Sequence, residues 1–486
     1  MTVRTRMAPS PTGEYHIGGM RTLLYNYAFA RKNKGKFIIR VEDTDRTRYV
    51  DGAEERALDV INDYGFDWDE GPRVGGPYAP YVQSDRLGLY KKYADELVAK
   101  GAAYYCFCTS ERLTNLREDQ RKQGLAVTKY DKHCLHLGPE EVKKKLEEGQ
   151  DYVIRLNVPA NCDVSFHDLI LGDILVNTDD IDDQVLLKSD GFPTYQLAVV
   201  VDDHLMNITH VMRGIEWLPS TPKHVLLYKA FGWELPIHAH LPNLKEAGEN
   251  KKLSKRHGSV SAIGFLEEGY LPEAINNFLM FLGWNPGTEK EIYSLEEFIN
   301  DFSIEKVHKT DLVVFDRDKL LWFNGHYLRA LTDEALYERI KNWAGKFNVA
   351  LNFSHDDTYN LRVVGLIKER LKKLSEVNEL TSYFYFQPEI PRDILFSYTK
   401  VEERTKEILS SFSRELNLVE KENWTRDNLD KMCHDVITKY EYTPKEAFMT
   451  LRVALTGQTA TPHIFDILEV LGREESLSRI QSAQQL

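Results

Sequence analysis

The sequence predicts an open α/β sheet assembled from two separated halves, interrupted by an insertion and followed by an all-α C-terminal half. Three observations carry this expectation. The first forty-odd residues alternate strand, loop, helix and strand; a second α/β stretch opens near Gly191; and from Phe265 onward apolar residues recur at helical spacing. The 486-residue length agrees with several domains, because single cores stop growing well short of this size.

Each element has a local reason. Residues 3–7 form a short alternating run that Pro9, Pro11 and Gly13 break into a loop. Leu23, Leu24, Tyr27 and Ala28 then follow helical spacing, Gly35 stops the helix, and Phe37-Ile38-Ile39 reads as a buried strand. The loop therefore lies at the carboxyl end of the first strand, where open α/β sheets bind ligands. Residues 82–194 form the insertion, with a cysteine pair, a charged helix over 140–148 and β-rich runs such as Tyr152-Val153-Ile154. In the second half, residues 195–201 and 208–212 read as strands, and 222–231 as a helix stopped by Gly232.

Composition sets outer limits. With 42% apolar and 28% charged residues the chain reads as soluble globular protein. No apolar run is long enough to span a bilayer, and the opening residues lack the layout of a secretion signal. Five cysteines in a long chain argue against a disulfide framework and for a reducing, cytoplasmic setting. The formal net charge of -13 means that a nucleic-acid partner would be held by local basic patches, not by bulk charge.

Two segments carry chemistry. Pro9-Ser10-Pro11-Thr12-Gly13-Glu14-Tyr15-His16-Ile17-Gly18-Gly19 sits between a strand and a helix start, so helix N-terminal amides face any anion placed there. Gly18 and Gly19 allow close backbone approach to a nucleotide, and His16 can donate to phosphate oxygens as charge builds. Lys252-Leu253-Ser254-Lys255-Arg256, in a loop with Gly248, Glu249 and Asn250, could clamp a leaving pyrophosphate. Singly, each could be a capped loop or a solvated basic turn. As a widely separated pair in this order, they resemble the two signature motifs of class I aminoacyl-tRNA synthetases.

The resemblance narrows to bacterial-type glutamyl-tRNA synthetases and runs nearly end to end. It is carried by Arg6-Met7-Ala8-Pro9-Ser10-Pro11-Thr12-Gly13, Arg40-Val41-Glu42-Asp43-Thr44-Asp45, Ser189-Asp190-Gly191-Phe192-Pro193-Thr194-Tyr195, Val201-Asp202-Asp203-His204, Arg213-Gly214 and the segment from Phe315-Asp316 to Gly325. It implies a multidomain α/β plus all-α enzyme. A class I Rossmann-type catalytic domain (1–81 and 195–248) would be split by an acceptor-binding insertion (82–194). A loop and stem-contact domain (249–331) and two helical anticodon-binding domains (332–382 and 383–486) would follow. The implied reaction joins L-glutamate to the terminal adenosine of tRNA(Glu) at the expense of ATP and Mg2+, by a monomer whose relatives typically need tRNA bound before glutamate is activated.

The same resemblance implies the site. Arg6, Ser10, Glu42, Tyr195 and Arg213 would contact glutamate, since an acidic substrate needs fixed cations and its ammonium an anion. Ser10, His16, Gly18, Gly19, Glu216 and residues 252–256 would surround ATP, with His16, Lys252 and Lys255 acting in catalysis. The chain departs from the usual family pattern at Glu216-Trp217, where a histidine often follows the acidic residue.

Cys106-Phe107-Cys108, Tyr130 and Cys134-Leu135-His136 flank a helical stretch in the insertion, and their thiolates and imidazole would suit a tetrahedral zinc. The resemblance favours a structural zinc on Cys106, Cys108, Cys134 and His136, although free buried cysteines are also common in cores. It further matches Arg370, Arg452 and Thr461 to positions that contact anticodon bases. An arginine at 370 is the type linked to enzymes that refuse tRNA(Gln); the alternative is a non-discriminating enzyme, with Arg370 covering a helix face. A shortened relative acting on a modified base would lack the helical half. A nucleotidyltransferase would not need it, and a non-catalytic paralogue would be expected to lose His16 or Lys255.

Overall fold

The computed structural model describes residues 2–125, 127–249, 253 and 260–486. The chain divides into two compact units, Met1–Phe265 with Ile275–Arg317, and Leu266–Ala274 with Asp318–Leu486.

The first unit starts with β1 (Arg4–Met7), α1 (Ile17–Lys32) and β2 (Lys36–Ile39), and the two strands pair in parallel from Arg4↔Lys36 to Met7↔Ile39. Leu23, Leu24, Tyr27 and Ala28 are buried as their spacing predicts. The helix ends at Asn33, not at Gly35. Gly35 is required for another reason. A Cβ there would lie 2.2 Å from the Val3 carbonyl oxygen, so only glycine lets the turn pass the edge of β1.

The chain continues through α2 (Ala53–Asp63), α3 (Leu87–Ala99), β3 (Ala103–Cys106), α4 (Ser110–Lys122), α5 (Pro139–Glu147), β4 (Val153–Leu156), β5 (Asp163–Asp168), β6 (Gly172–Asn177) and β7 (Val185–Leu187). β3, β4 and β7 make an antiparallel sheet of their own. β5 and β6 do not join it. They extend the sheet of β8 (His210–Gly214) and β9 (Ile237–Leu241), in the order β6-β5-β9-β8. β8 and β9 are parallel, with Arg213 opposite His240, and β5 meets β9 at Asp168↔His238. Thr209, at the entry to β8, donates its N–H to the Arg4 carbonyl at 3.0 Å, and its Oγ1 accepts from the Arg4 N–H at 2.8 Å, tying β1 to this sheet.

Residues 195–201 correct the sequence expectation. They belong to a helix, α6 (Tyr195–Leu205), not a strand. Leu197 through Asp203 are all buried, and a segment buried on every side reads as a continuous apolar run in either state. Thr194, in extended conformation, starts the helix, and packing around it overrides the β preference of Val199, Val200 and Val201. α7 (Thr221–Phe231) ends as expected at Gly232, whose φ of 79° is left-handed. β10 (Asn243–Glu246) pairs in parallel with β11 (Leu312–Phe315) beyond it.

Among the described residues the second unit contains helices and no strand. Separate apolar clusters form around Trp343 and around Phe412 and Trp424. The buried Arg479 guanidinium donates to the Tyr383 and Leu455 carbonyls at 2.6 and 2.8 Å, fastening the C-terminal helix within this unit.

Because Gly35 has no room for a side chain, Gly35→Ala is expected to destabilise the first unit by about 1–3 kcal/mol. A thermal melt of purified protein would show its transition lowered by several degrees.

Candidate active site

A cavity of about 520 Å³ opens where the carboxyl ends of β1 and β8 meet the N-terminus of α1. The first motif contributes Arg6, Ser10, His16, Gly18 and Gly19 to its wall; Glu42 enters from the end of β2, and Tyr195, Arg213, Glu216 and Trp217 from the second half. Leu253 also lines it and donates its N–H to the Leu244 carbonyl at 2.6 Å. Lys252, Ser254, Lys255 and Arg256 lie outside the described residues. The chain just beyond them is joined to the first motif: Ile17 N–H donates to the Val260 carbonyl at 2.8 Å, and Ala262 N–H to the Tyr15 carbonyl at 2.7 Å.

His16 caps α1, its Nδ1 accepting from the Gly18 N–H at 2.9 Å. The neutral ring therefore carries its proton on Nε2, as a donor to phosphate requires. Gly18 and Gly19 are needed for local reasons too, because a Cβ on either would press at 3.1 Å on the ring of His16 or of Tyr15. Trp217, which follows Glu216 where the family pattern often has a histidine, is partly exposed, with its ring centroid 4.4 Å from that of Tyr195.

Beneath the cavity lies a buried charge network. Arg6 donates from Nε and Nη2 to the two Asp203 oxygens at 3.1 and 3.3 Å. Arg40, fully buried, donates to Asp203 Oδ1 and to Glu42 Oε1, both at 2.8 Å. Asp202 takes Arg86 Nε at 2.7 Å, Tyr90 Oη at 2.8 Å and Gln83 Nε2 at 2.9 Å. Three guanidiniums thus face three carboxylates. Burial pushes the Asp203 carboxyl up, but Arg6 and Arg40 outweigh it and hold the group below the usual carboxylate range. At Glu42 burial wins over Arg40 and Arg6, and its pKa is raised.

Arg213 differs. All its partners are neutral: His240 Nε2 accepts from Nε at 3.1 Å, Tyr195 Oη from Nη1 at 2.9 Å, Thr221 Oγ1 from Nη2 at 2.8 Å, and the Trp217 carbonyl from Nη2 at 3.3 Å, with His224 Nδ1 3.5 Å from Nη1. Among the described residues no carboxylate pairs with it directly, so it is a buried cation facing the cavity.

Sequence reasoning assigned no role to Arg40, Asp203, His240 or Arg21. Arg21 lines the cavity from the apolar face of α1 that Ile17, Leu24 and Ala28 share, and donates to the Pro242 and Leu282 carbonyls. A basic residue in an apolar stripe was the available signal, as were two adjacent acids in the run of α6.

In the insertion, one ligand-capable atom each of Cys106, Cys108 and Cys134 lies within 4.8 Å of the others. His136 does not join this group. It stands exposed at the end of the tight turn His133–His136, where two residues of 3₁₀ winding turn it away from Cys134. Tyr130 is there instead, its hydroxyl 3.4 Å from Cys106 Sγ and 3.2 Å from Cys108 Sγ. Hydrogen bonds from Cys134 and Tyr130 bring the Cys106 thiol down to about 4. The Arg155 guanidinium sits 4.2 Å over the Tyr130 ring with its Nε unpartnered. Three thiolates on a divalent ion leave one negative charge, which that cation offsets, so the donor set fits zinc.

In the second unit, Arg452 donates to Thr461 Oγ1 and to the Thr461 and Pro462 carbonyls, the last two at 3.2 and 2.9 Å. Thr461 is buried, whereas Arg370 is exposed in the turn after the helix Asp357–Ile367. Burial and the charge of Arg370 lower the pKa of Arg452, so two guanidiniums lie near each other.

A sheet built in two halves that brings a helix N-terminus, a histidine and Leu253 of the second motif to one cavity fits a class I nucleotide-activating enzyme. Residues 2–322 match the family model for tRNA synthetases class I (E and Q), catalytic domain, and residues 329–484 that for an anticodon binding domain. A glutamate–tRNA ligase of Clostridium kluyveri is 42% identical over 99% of this chain and 97% of its own, and one of Alkaliphilus metalliredigens is 44% identical over 99% and 98%. The crystal structure of a glutamate tRNA ligase from Elizabethkingia meningosepticum in complex with its amino acid superposes with a TM-score of 0.89 at 37% identity, covering 100% of this chain and 99% of that one. The chain belongs to the class I aminoacyl-tRNA synthetases and, among them, to the glutamate–tRNA ligases.

Removing the shared carboxylate would leave two buried guanidiniums short of a counter-charge. Asp203→Asn is therefore expected to lower stability by about 3–5 kcal/mol, read from denaturant unfolding of the purified variant.

Proposed function

We propose that the cavity binds L-glutamate and ATP, forms glutamyl-adenylate, and passes the glutamyl group to tRNA(Glu) while refusing tRNA(Gln). The observation that carries the substrate assignment is the setting of Arg213. Arg6, Arg40 and Arg86 are each paired directly with Glu42, Asp202 or Asp203, while Arg213 lines the cavity beside Arg6, Glu42 and Tyr195 with no carboxylate in direct contact among the described residues. A substrate carboxylate is the partner such a guanidinium fork takes.

In this reading Arg213 and the Nη1 edge of Arg6 receive carboxylate, Glu42 receives the substrate ammonium, and Tyr195 and Ser10 fix its orientation. A glutamate carboxylate oxygen attacks the α-phosphorus, forming a P–O bond as the bond to the bridging oxygen breaks and pyrophosphate departs. His16 donates from Nε2 to the phosphate, Gly18 and Gly19 leave room for the nucleotide, and Glu216 belongs to the ATP side. Lys252, Leu253, Ser254, Lys255 and Arg256 belong around the leaving phosphates. Mg2+ accompanies ATP and screens its charge. The 2′-hydroxyl of the tRNA terminal adenosine then attacks the activated carbonyl, and AMP leaves. The rate comes from placing and stabilising charged oxygens, so no separate nucleophile is required.

Arg370 and Arg452 offer closely spaced positive charge for an anticodon base or phosphate. Thr461 acts in this reading by holding Arg452. Arg370 is the residue assigned to discrimination between the two tRNAs. A structural zinc is proposed on Cys106, Cys108 and Cys134, with the Tyr130 hydroxyl nearest as a fourth donor. A monomer working in the cytoplasm is the expected form; among the described residues no helix is long and apolar enough to cross a membrane.

The decisive experiment is aminoacylation with labelled glutamate, Mg-ATP and separate transcripts of the two tRNAs. Charging of tRNA(Glu) alone is expected, with Arg370→Ala beginning to charge tRNA(Gln); absence of charging of either by ATP-binding enzyme would falsify the proposal. Arg213→Ala is expected to lower kcat/KM for glutamate at least about 30-fold, equivalent to about 2 kcal/mol. Since the raised pKa of Glu42 means its carboxylate is lost as pH falls through a range above that of an ordinary glutamate, kcat/KM for glutamate should decline toward acid in that range. The limb should be absent in Glu42→Gln, which is slow at every pH. Metal analysis should find about one zinc per chain, lost in Cys108→Ser and retained in His136→Ala.

A further inference from the structure

We infer that Asp168 and His240 form a positioning dyad that fixes the Arg213 guanidinium by selecting the tautomer of the His240 ring. The inference rests on the assignment of Arg213 to substrate carboxylate. Neither dyad member lines the cavity, and both are fully buried.

The hydrogen bonds leave one arrangement of protons. Arg213 Nε can only donate, so His240 Nε2, 3.1 Å away, is the acceptor. Thr221 Oγ1, which accepts from Arg213 Nη2 at 2.8 Å, lies 3.2 Å from the same His240 nitrogen. The ring proton is therefore on Nδ1, which points at Asp168 Oδ2 at 2.6 Å. Asp168 cannot turn away: its Oδ1 accepts the Ile170 and Leu171 N–H groups at 3.0 Å each, and its Oδ2 the His240 N–H at 3.1 Å. Burial and the Arg213 charge keep the His240 pKa down against the pull of Asp168, so the ring is neutral. With the other tautomer, Nε2–H would face Nε–H, and Arg213 would lose its anchor.

Asp168 comes from the last residue of β5, inside the segment that the sequence marks as an insertion, and β5 meets β9 at that residue. The hairpin of β5 and β6 thereby supplies the group that orients an arginine of the second catalytic half. A substrate cation held from behind by a neutral acceptor keeps its full charge for the ligand, whereas a direct carboxylate partner would cancel it.

Asp168→Asn preserves the acceptor for the Ile170 and Leu171 N–H groups but turns an amide donor toward His240 Nδ1, and toward the His240 N–H, favouring the wrong tautomer. In aminoacylation of tRNA(Glu) we expect KM for glutamate to rise about tenfold or more, with KM for ATP nearly unchanged. His240→Gln carries an amide oxygen that can accept from Arg213 and has no tautomer to select. In that background Asp168→Asn should change KM for glutamate by less than about twofold. Equal factors in both backgrounds would mark a merely structural role and overturn the dyad. Nitrogen-15 NMR of the wild-type ring, identified by its loss in His240→Gln, should show the proton on Nδ1; an Nε2–H or doubly protonated ring overturns the inference even where a variant fails to fold. Arg213→Ala separates the two levels. If it leaves KM for glutamate unaltered, the assignment of Arg213 fails; if it raises KM and Asp168→Asn does not, the dyad alone fails.

Discussion

Asp203 sits where α6 passes beneath the cavity and offers one buried carboxylate to two guanidiniums, Arg6 from β1 and Arg40 from the end of β2. Ions this deep are tolerated only when their geometry and hydrogen bonding are nearly complete. Fixing Asp203 therefore fixes much else. Arg40 reaches on to Glu42, Asp202 next in sequence gathers Arg86, Gln83 and Tyr90, and both strands of the first half are held to a helix of the second. The split in the catalytic domain is closed by charge as well as by apolar packing.

The guanidiniums of Arg6, Arg40 and Arg86 are each paired with a carboxylate inside the fold, although Arg6 and Glu42 also line the cavity. Arg213 has its hydrogen bonds met by an imidazole, hydroxyls and a carbonyl, so its charge is left for the cavity. The Cys106, Cys108 and Cys134 cluster follows related logic at another place, with Arg155 beside a group of thiols that gathers negative charge as it ionises.

Much of the fold was legible in the sequence. The strand–loop–helix–strand opening, the helix over 222–231 with its glycine stop and the helical C-terminal half follow from local periodicity and end signals, which neighbouring residues carry. Residues 195–201 were misread because a helix buried on all sides shows no polar face, and the valines of α6 mimic a strand. Gly35 was placed at the right turn for the wrong reason: the constraint on it is the Val3 carbonyl, more than thirty residues earlier in the chain.

The sequence by itself determined the chemistry available to this protein: a histidine and two glycines at a helix start, a distant basic motif, arginines at strand ends and a glutamate after the second strand. Short-range spacing is enough for these, because a motif's chemistry resides in its residue types. Tertiary structure alone decided which charge is spent within the fold and which faces the cavity. It brought Asp203 to Arg6 and Arg40, set the tautomer of His240 through Asp168, and put Tyr130 rather than His136 beside the three cysteines. Those outcomes depend on burial and on partners far away in the chain, and a residue's sequence neighbours hold no record of either.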